Sequence, residues 1–435
     1  MRSRAIALLL GVAGFAAIAA EPAPLAWEPV MEVARGRGER GPWRQSESRF
    51  DYVDDPAVAI DAGGNIALAW VDQARKAILF QRFPPEGRAH PGAPVDVSRL
   101  PETFSWLPRI ALGADGRIYI AWQEIIFSGG SHGGDILVAS SRDGGKTFAA
   151  PVNVSHSPAG DGKGRINRER WHNGSLDIVA APDGVIIAWT EYEGGLWISR
   201  SADGEGAFSK PARIAGDKAR PARGPSLATG PGGAVFVAWT VGEDEGADIH
   251  LAKSTDGGAS FGRAQRVAPS KTYSDAPKLA LDGRGTLHLV HAESAAGPFD
   301  RFHIRHTRSL DGGRTFDAAR EISAPMPAGF SSASFPALGV DGQGRVYVSW
   351  ELSADAGSAP RGLGLSVSAD GGRTFSAPVV VPGSIDPGGG YNGSGQGLLM
   401  KKLAVNAAGT LAIANSSFKP GSHSRVWLMR GRLPR

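Results

Sequence analysis

The sequence predicts an all-β chain folded as a β-propeller of four-stranded antiparallel blades. Three observations predict it. A hairpin phrase recurs seven times, a turn phrase recurs five times, and 60 of the 435 residues are glycine. Average chains carry roughly 7% glycine, so the supply here is about double, and without a collagen period it marks many tight turns between short strands. At 42% hydrophobic the chain is too apolar to be disordered and too long for one small core.

The hairpin phrase is an apolar strand, a glycine turn, and a second strand ending in Trp. It reads Ala57 to Trp70 first, then Ile110 to Trp122, Asp177 to Trp189 and Leu227 to Trp239. It returns as Leu279 to His291, Leu338 to Trp350 and, more weakly, Leu403 to Asn415. Apolar residues alternate within each copy around a central glycine, the pattern of a half-buried hairpin.

The turn phrase is Ser-x-Asp-Gly-Gly-x-Thr-Phe with variations. Copies begin at Ser141, Ser201, Ser254, Ser309 and Ser368, with aspartates at Asp143, Asp203, Asp256, Asp311 and Asp370. Its chemistry is structural: Asp accepts from the following backbone N–H groups, the glycines supply positive φ, and the Phe plugs the gap between sheets. Each copy joins one strand to another, most clearly Pro151 to Val154, so each unit holds four strands. Units repeating every ~50 residues read as propeller blades.

In phase, these five phrases resemble the Asp-box (bacterial neuraminidase, BNR) repeat of sialidases and related propellers. The resemblance covers nearly the whole chain after the N-terminus. Seven hairpins give seven blades, against six in sialidases; six remains the alternative if a terminal unit is decoration. The last unit lacks a fourth strand, and Trp27 to Val33 matches the missing Pro-Val-x-Val strand. The N-terminal strand is therefore expected to complete the last blade and close the ring, removing open edges. Residues 21–435 are expected to form this single domain.

Residues 1–20 read as a cleaved secretory signal: basic Met1 to Arg4, an uncharged apolar run from Ala5 to Ala20, and small residues at Ala17 and Ala19. The run is shorter than the ~20 residues of a spanning helix. The mature protein is expected to be secreted or periplasmic, monomeric, and without a membrane span. Zero cysteine excludes disulfides, thiolate metal sites, cysteine nucleophiles and a lipoprotein anchor. The 47 basic and 43 acidic side chains are scattered, with no block to track a phosphate backbone, which argues against nucleic acid as a partner. His288 and His291, like His303 and His306, are three apart on strands and face opposite sides, so no metal or other cofactor is expected.

In such a blade the loop leading into the first strand and the loop after the second lie on one face, opposite the turn phrases. Function belongs on that face near the axis. Its loops carry Asp54, Asp55, Trp106, the run Arg170-Trp171-His172-Asn173, Glu191, Arg223, Tyr273, Asp275, Glu293, Glu351 and Tyr391. Carboxylates, arginines and aromatics on one rim suit a polar, ring-shaped ligand such as a sugar. The resemblance to sialidases implies three arginines gripping a sugar carboxylate, a Tyr nucleophile paired with Glu, and an Asp acid/base. Arg223-Gly-Pro225-Ser-Leu227 best matches the family's Arg-x-Pro motif, while Asp54, Trp106, Asp275 and Ser334 hold the equivalent positions elsewhere.

On this basis Tyr273, Glu293 and Asp275 are the candidate catalytic residues. Tyr391 is an alternative nucleophile, Glu191 an alternative base and Asp54 an alternative acid. Arg170, Trp171, His172, Arg223, Trp106, Asp54, Glu191 and Tyr391 are the candidate substrate contacts. No arginine triad is recognisable, so the expected function is glycan binding or hydrolysis rather than standard sialidase activity. The alternative is a non-catalytic scaffold whose aromatic rim binds a protein partner in the cell envelope.

Overall fold

The computed structural model describes residues 25–42, 44, 47–85, 93–125, 134–155, 164–165, 171–172, 176–191, 194–242, 246–393 and 401–433. The signal segment expected at 1–20 lies outside the described residues. Among the described residues the chain forms seven antiparallel blade sheets, six of them hydrogen-bonded in chain order from an inner strand outward and the seventh carrying N-terminal strands on its outer edge, together with two two-stranded ribbons. The inner strands are Val53–Ile60, Phe104–Leu112, Leu176–Ala181, Ala222–Thr229, Tyr273–Leu281, Ser332–Val340 and Leu403–Val405. The second strands are Ile66–Asp72, Ile118–Ile125, Gly184–Thr190, Val235–Val241, Leu287–Ser294, Val346–Ser353 and Thr410–Lys419. Each inner strand packs beside the next, and the seventh packs against the first, which makes a seven-bladed ring. Among the described residues no helix is long and apolar enough to cross a membrane.

The hairpin phrase works because its alternating apolar residues face neighbouring sheets. Trp70, Trp122, Trp189, Trp239 and Trp350 are all fully buried there. A buried Trp contributes heavily: truncating one to Ala costs about 3–5 kcal/mol. His291 and Asn415 take the same position in blades five and seven and are equally buried.

The N-terminal segment pairs with the last blade, but not as one strand over 27–33. Ala26–Trp27 pairs with Gly431 and Arg432, and Met31–Gly36 pairs with Ser424 to Leu428. Pro29 cannot donate to a ladder, and the pairing breaks around it.

The turns after the third strands share one hydrogen-bond scheme. In blade two Ser141 Oγ donates to Asp143 at 2.8 Å and accepts from the Gly145 N–H at 2.8 Å. The Thr147 N–H and hydroxyl both donate to Asp143, at 3.0 and 2.7 Å. Partial burial raises the Asp143 carboxyl, but these bonds outweigh it and hold it down at about 2. The scheme repeats around Asp256, Asp311 and Asp370. In blade three Ala207 replaces the Thr, and backbone donors at Glu205 and Gly206 serve Asp203 instead. Gly145 has φ 88°, and a Cβ there would lie 2.0 Å from the Phe80 ring. Phe148 then closes edge-on against Phe80 at 5.2 Å, joining blade two to blade one.

Candidate functional site

Because strands alternate in direction, the first strands begin on the face opposite those turns. In five blades the inner strand breaks register near its start: Asp55, Leu107, Gly224, Ala276 and Phe335 take φ between 49° and 55°, each followed by Pro. A residue before Pro ordinarily stays extended, so this is a recurrent bulge. A bulge re-aims the residue ahead of it. The re-aimed residues are Asp54, Trp106, Arg223, Asp275 and Ser334.

Arg223, Tyr273 and Asp275 meet in one buried network between blades four and five. Arg223 Nη2 donates to the Tyr273 hydroxyl at 3.1 Å, and Nη1 lies 3.5 Å from Asp275 Oδ2. Arg223 Nε donates to the Gly242 carbonyl at 2.8 Å. Tyr273 donates to Asp275 Oδ2 at 3.1 Å, while the Thr240 hydroxyl and the Ala276 N–H each donate to Oδ1 at 2.8 Å. Burial, and then the Asp275 charge, push the Tyr273 phenol well above its ordinary value. The phenol is therefore held protonated, as a donor rather than an activated nucleophile. The Arg223 donors are directed at protein acceptors.

Glu293 does not join this network. It pairs across the hairpin with Ser274, so its side chain leaves the opposite face of the sheet from Tyr273 and Asp275. There Arg305 holds it, with Nε and Nη2 both 2.9 Å from Oε1. The pairing expected of Tyr273 with Glu293 is absent for this reason.

The remaining expected residues are distributed around the rim. Asp54 is buried and accepts from the Ser416 hydroxyl at 2.6 Å. Tyr391 is half-buried edge-on to Phe418 at 5.9 Å. Trp106 is buried at the mouth of blade two. Glu191 is half-buried at the end of the second strand of blade three. Arg170 lies outside the described residues. Trp171–His172 pairs as a short strand with Gly164–Arg165, and the side chains of both strands lie outside the description.

Charged groups not singled out from the sequence converge closer to the axis. Arg109, Asp177 and Lys278 occupy equivalent inner-strand positions, directly across from the residue before the Trp or His of the second strand, and Lys402, just ahead of the seventh inner strand, accepts at its carbonyl from the N–H of Ala414, the residue before Asn415. Arg109 is buried, and burial lowers its guanidinium to about 10, with the Asp177 charge opposing the shift. Half-buried Lys278 is lowered to about 8 by burial first, then by Arg109 and Lys401, with Asp177 opposing. Asp177 accepts from the Ile178 and Leu227 N–H groups at 2.9 and 2.8 Å. Asp55 accepts from the Leu107 N–H at 3.3 Å, and its Oδ1 has no hydrogen-bond partner. Burial, and then Asp54, raise Asp55 well above the usual carboxylate range. Lys402 is neutralised by Glu351 at 2.5 Å and also donates to Asn415 at 2.9 Å. The sequence signal was available: charges directly after Pro in otherwise apolar strands, as in Pro108-Arg109-Ile110 and Pro277-Lys278-Leu279. Below this layer all seven inner strands line a channel cavity of about 330 Å³, with Lys401 among its walls.

The sequence matches no protein-family model and no curated protein. Solved structures do align with it. A protein of unknown function from Dyadobacter fermentans aligns at 16% identity and TM-score 0.52, covering 78% of this chain and 97% of its own. An ulvan lyase bound to -[GlcA(1-4)Rha3S]- aligns at 12% identity and TM-score 0.53, covering 87% and 94%. An α-L-arabinofuranosidase from Fusarium graminearum aligns at 14% identity and TM-score 0.50, covering 76% and 93%. At these identities the likeness is one of fold: this chain is a seven-bladed propeller with glycan-active propellers among its structural neighbours.

Proposed function

We propose that this is an exported sialidase-like propeller that binds or processes a glycan at the channel mouth, on the face opposite the Asp-centred turns. The observation that carries the reading is the row of five bulges. They set polar or aromatic residues, among them Asp54, Trp106, Arg223 and Asp275, at equivalent places near the start of five inner strands, on the face opposite the turns. The ulvan lyase and the arabinofuranosidase support it as glycan-active proteins on the same scaffold. Binding is favoured over hydrolysis through Tyr273, because that phenol is buried and held protonated.

The test is a binding and turnover screen of the mature protein against neutral and acidic oligosaccharides and aryl-glycosides. The reading expects saturable binding of at least one glycan class, unchanged by Tyr273→Phe. Failure to bind any glycan would overturn it in favour of an envelope protein partner. Turnover abolished by Tyr273→Phe would restore the nucleophile reading.

A further inference from the structure

Where five blades place a Trp, the seventh places Asn415, and it meets an amine and a carboxylate. Lys402 lies just ahead of the inner strand of that blade, and Glu351 follows Trp350 in blade six. All three side chains are buried. Lys402 Nζ lies 2.5 Å from Glu351 Oε1 and donates to Asn415 Oδ1 at 2.9 Å. The Asn415 amide is oriented from its other end, where Nδ2 donates to the Ser384 carbonyl at 3.0 Å and to Asn392 Oδ1 at 3.2 Å. A backbone carbonyl can only accept, so Nδ2 belongs at Ser384 and Oδ1 faces the lysine. Asn392 is buried too and is fixed in turn: its Oδ1 accepts from the Gly362 N–H at 3.0 Å, and its Nδ2 donates to Glu351 Oε2 and to the Gly362 carbonyl. A primary amine is thus held against a carboxamide, with a carboxylate in contact with the amine.

We propose that Lys402 and Asn415 join in an intramolecular isopeptide bond, with Glu351 as the proton carrier. Glu351 takes one proton from the Lys402 ammonium, leaving a neutral amine and a neutral acid. The amine lone pair attacks Asn415 Cγ, the atom that carries Oδ1, and the Nζ–Cγ bond forms. A second Nζ proton passes to Nδ2, the Cγ–Nδ2 bond breaks, and ammonia leaves. Lys402 and Asn415 then share a secondary amide, and Glu351 keeps the first proton. Nothing is oxidised or reduced, and no co-reactant enters. Two effects favour the step. Well-oriented intramolecular pairs reach effective molarities of about 10⁵–10⁸ M. The reaction also removes a buried pair of charges, whose desolvation is costly. The bond ties the inner strand of the ring-closing blade to its second strand. Among the described residues that inner strand has three residues, against six to nine in the other blades. The cross-link is independent of the glycan reading.

The test is intact-mass spectrometry of the purified mature protein, then proteolysis and fragment sequencing, for the wild type, Lys402→Arg and Glu351→Gln. The wild type is expected to be lighter than its sequence by one ammonia and to yield a branched peptide that links Lys402 to Asn415. Both variants are expected at full sequence mass, with no branched peptide. Lys402→Arg keeps a cation beside Glu351 but offers a guanidinium that stays protonated and does not attack. A folded wild type at full sequence mass overturns the proposal. So does ammonia lost with Lys402 and Asn415 recovered in separate peptides, as imide formation at Asn392-Gly393 would give. A branched peptide undiminished in Glu351→Gln overturns the role of Glu351. If Glu351→Gln does not fold, Lys402→Arg, which retains the charge pair, carries the comparison with the same expected loss of the cross-link.

Discussion

Removing the Arg223 guanidinium tests the blade four–five network most severely. Arg223→Met leaves the Asp275 carboxylate buried without its cation and the Tyr273 hydroxyl without its donor. Breaking a buried pair by deleting one partner costs about 3–5 kcal/mol. With an unfolding entropy of ~2.1 cal/mol/K per residue over roughly 400 residues, each kelvin of Tm corresponds to about 0.8 kcal/mol. Arg223→Met should therefore lower Tm by about 4–6 °C. Asp275→Asn keeps the oxygen that accepts from Thr240 and Ala276 but removes the stranded charge. The double variant should thus fall short of the summed single losses by about 2 kcal/mol, within the range of coupled contacts. Differential scanning calorimetry of the four proteins measures this cycle. Strict additivity, or an Arg223→Met protein as stable as wild type, would show that the charges are not paired as described.

Other predictions concern burial and turns. Stacked His288 and His306, with Nδ1 and Nε2 3.2 Å apart, are buried and lowered in pKa, His288 to about 4. Their unfolded forms bind protons first, so stability contributed above pH ~6.5 is lost as pH falls toward 4, about 3 kcal/mol for His288 alone. Melting curves across that window should flatten in the His288→Phe variant; an unchanged pH slope contradicts the assignment. Asp55 is held protonated, the opposite case: stability is fully present below its unfolded value near 3.9 and is lost as pH rises. Asp55→Asn should match or exceed wild-type Tm at neutral pH, with a benefit that grows with pH, and a loss of stability would refute the neutral acid. Gly145→Ala drives a Cβ into the Phe80 ring and should cost more than Gly116→Ala, whose Cβ would meet nothing within 4 Å. The second substitution bears only the ~1 kcal/mol of left-handed strain, and chemical denaturation distinguishes the two.

The fold was readable because its signals are local and repeated. Trp at the end of a hairpin and Ser-x-Asp-Gly-Gly are each decided within a few residues, and their phase counts the blades. His291 broke the Trp pattern but kept its burial, so the count survived. The site was less readable because it is made across blades. Arg223 and Tyr273 are 50 residues apart and meet only because successive inner strands lie side by side. Glu293 looked like a rim residue in sequence, but strand alternation turned it to the other face. Arg109 and Lys278 passed as strand residues because nothing local says that positions in non-adjacent blades meet on an axis. The bulges were visible only as prolines; their left-handed residues, Leu107 and Phe335 among them, defy local preference and appear only in three dimensions.

Where a ligand sits is the central claim, and oxidative footprinting with acetylation, at saturating oligosaccharide, tests it most directly. Leu310 is exposed on an Asp-centred turn, while Tyr391 and Lys278 report on the channel mouth. Protection of Tyr391 and Lys278 with Leu310 unchanged is the predicted result. Protection of Leu310 with Tyr391 and Lys278 unchanged would place binding on the opposite face and contradict the account.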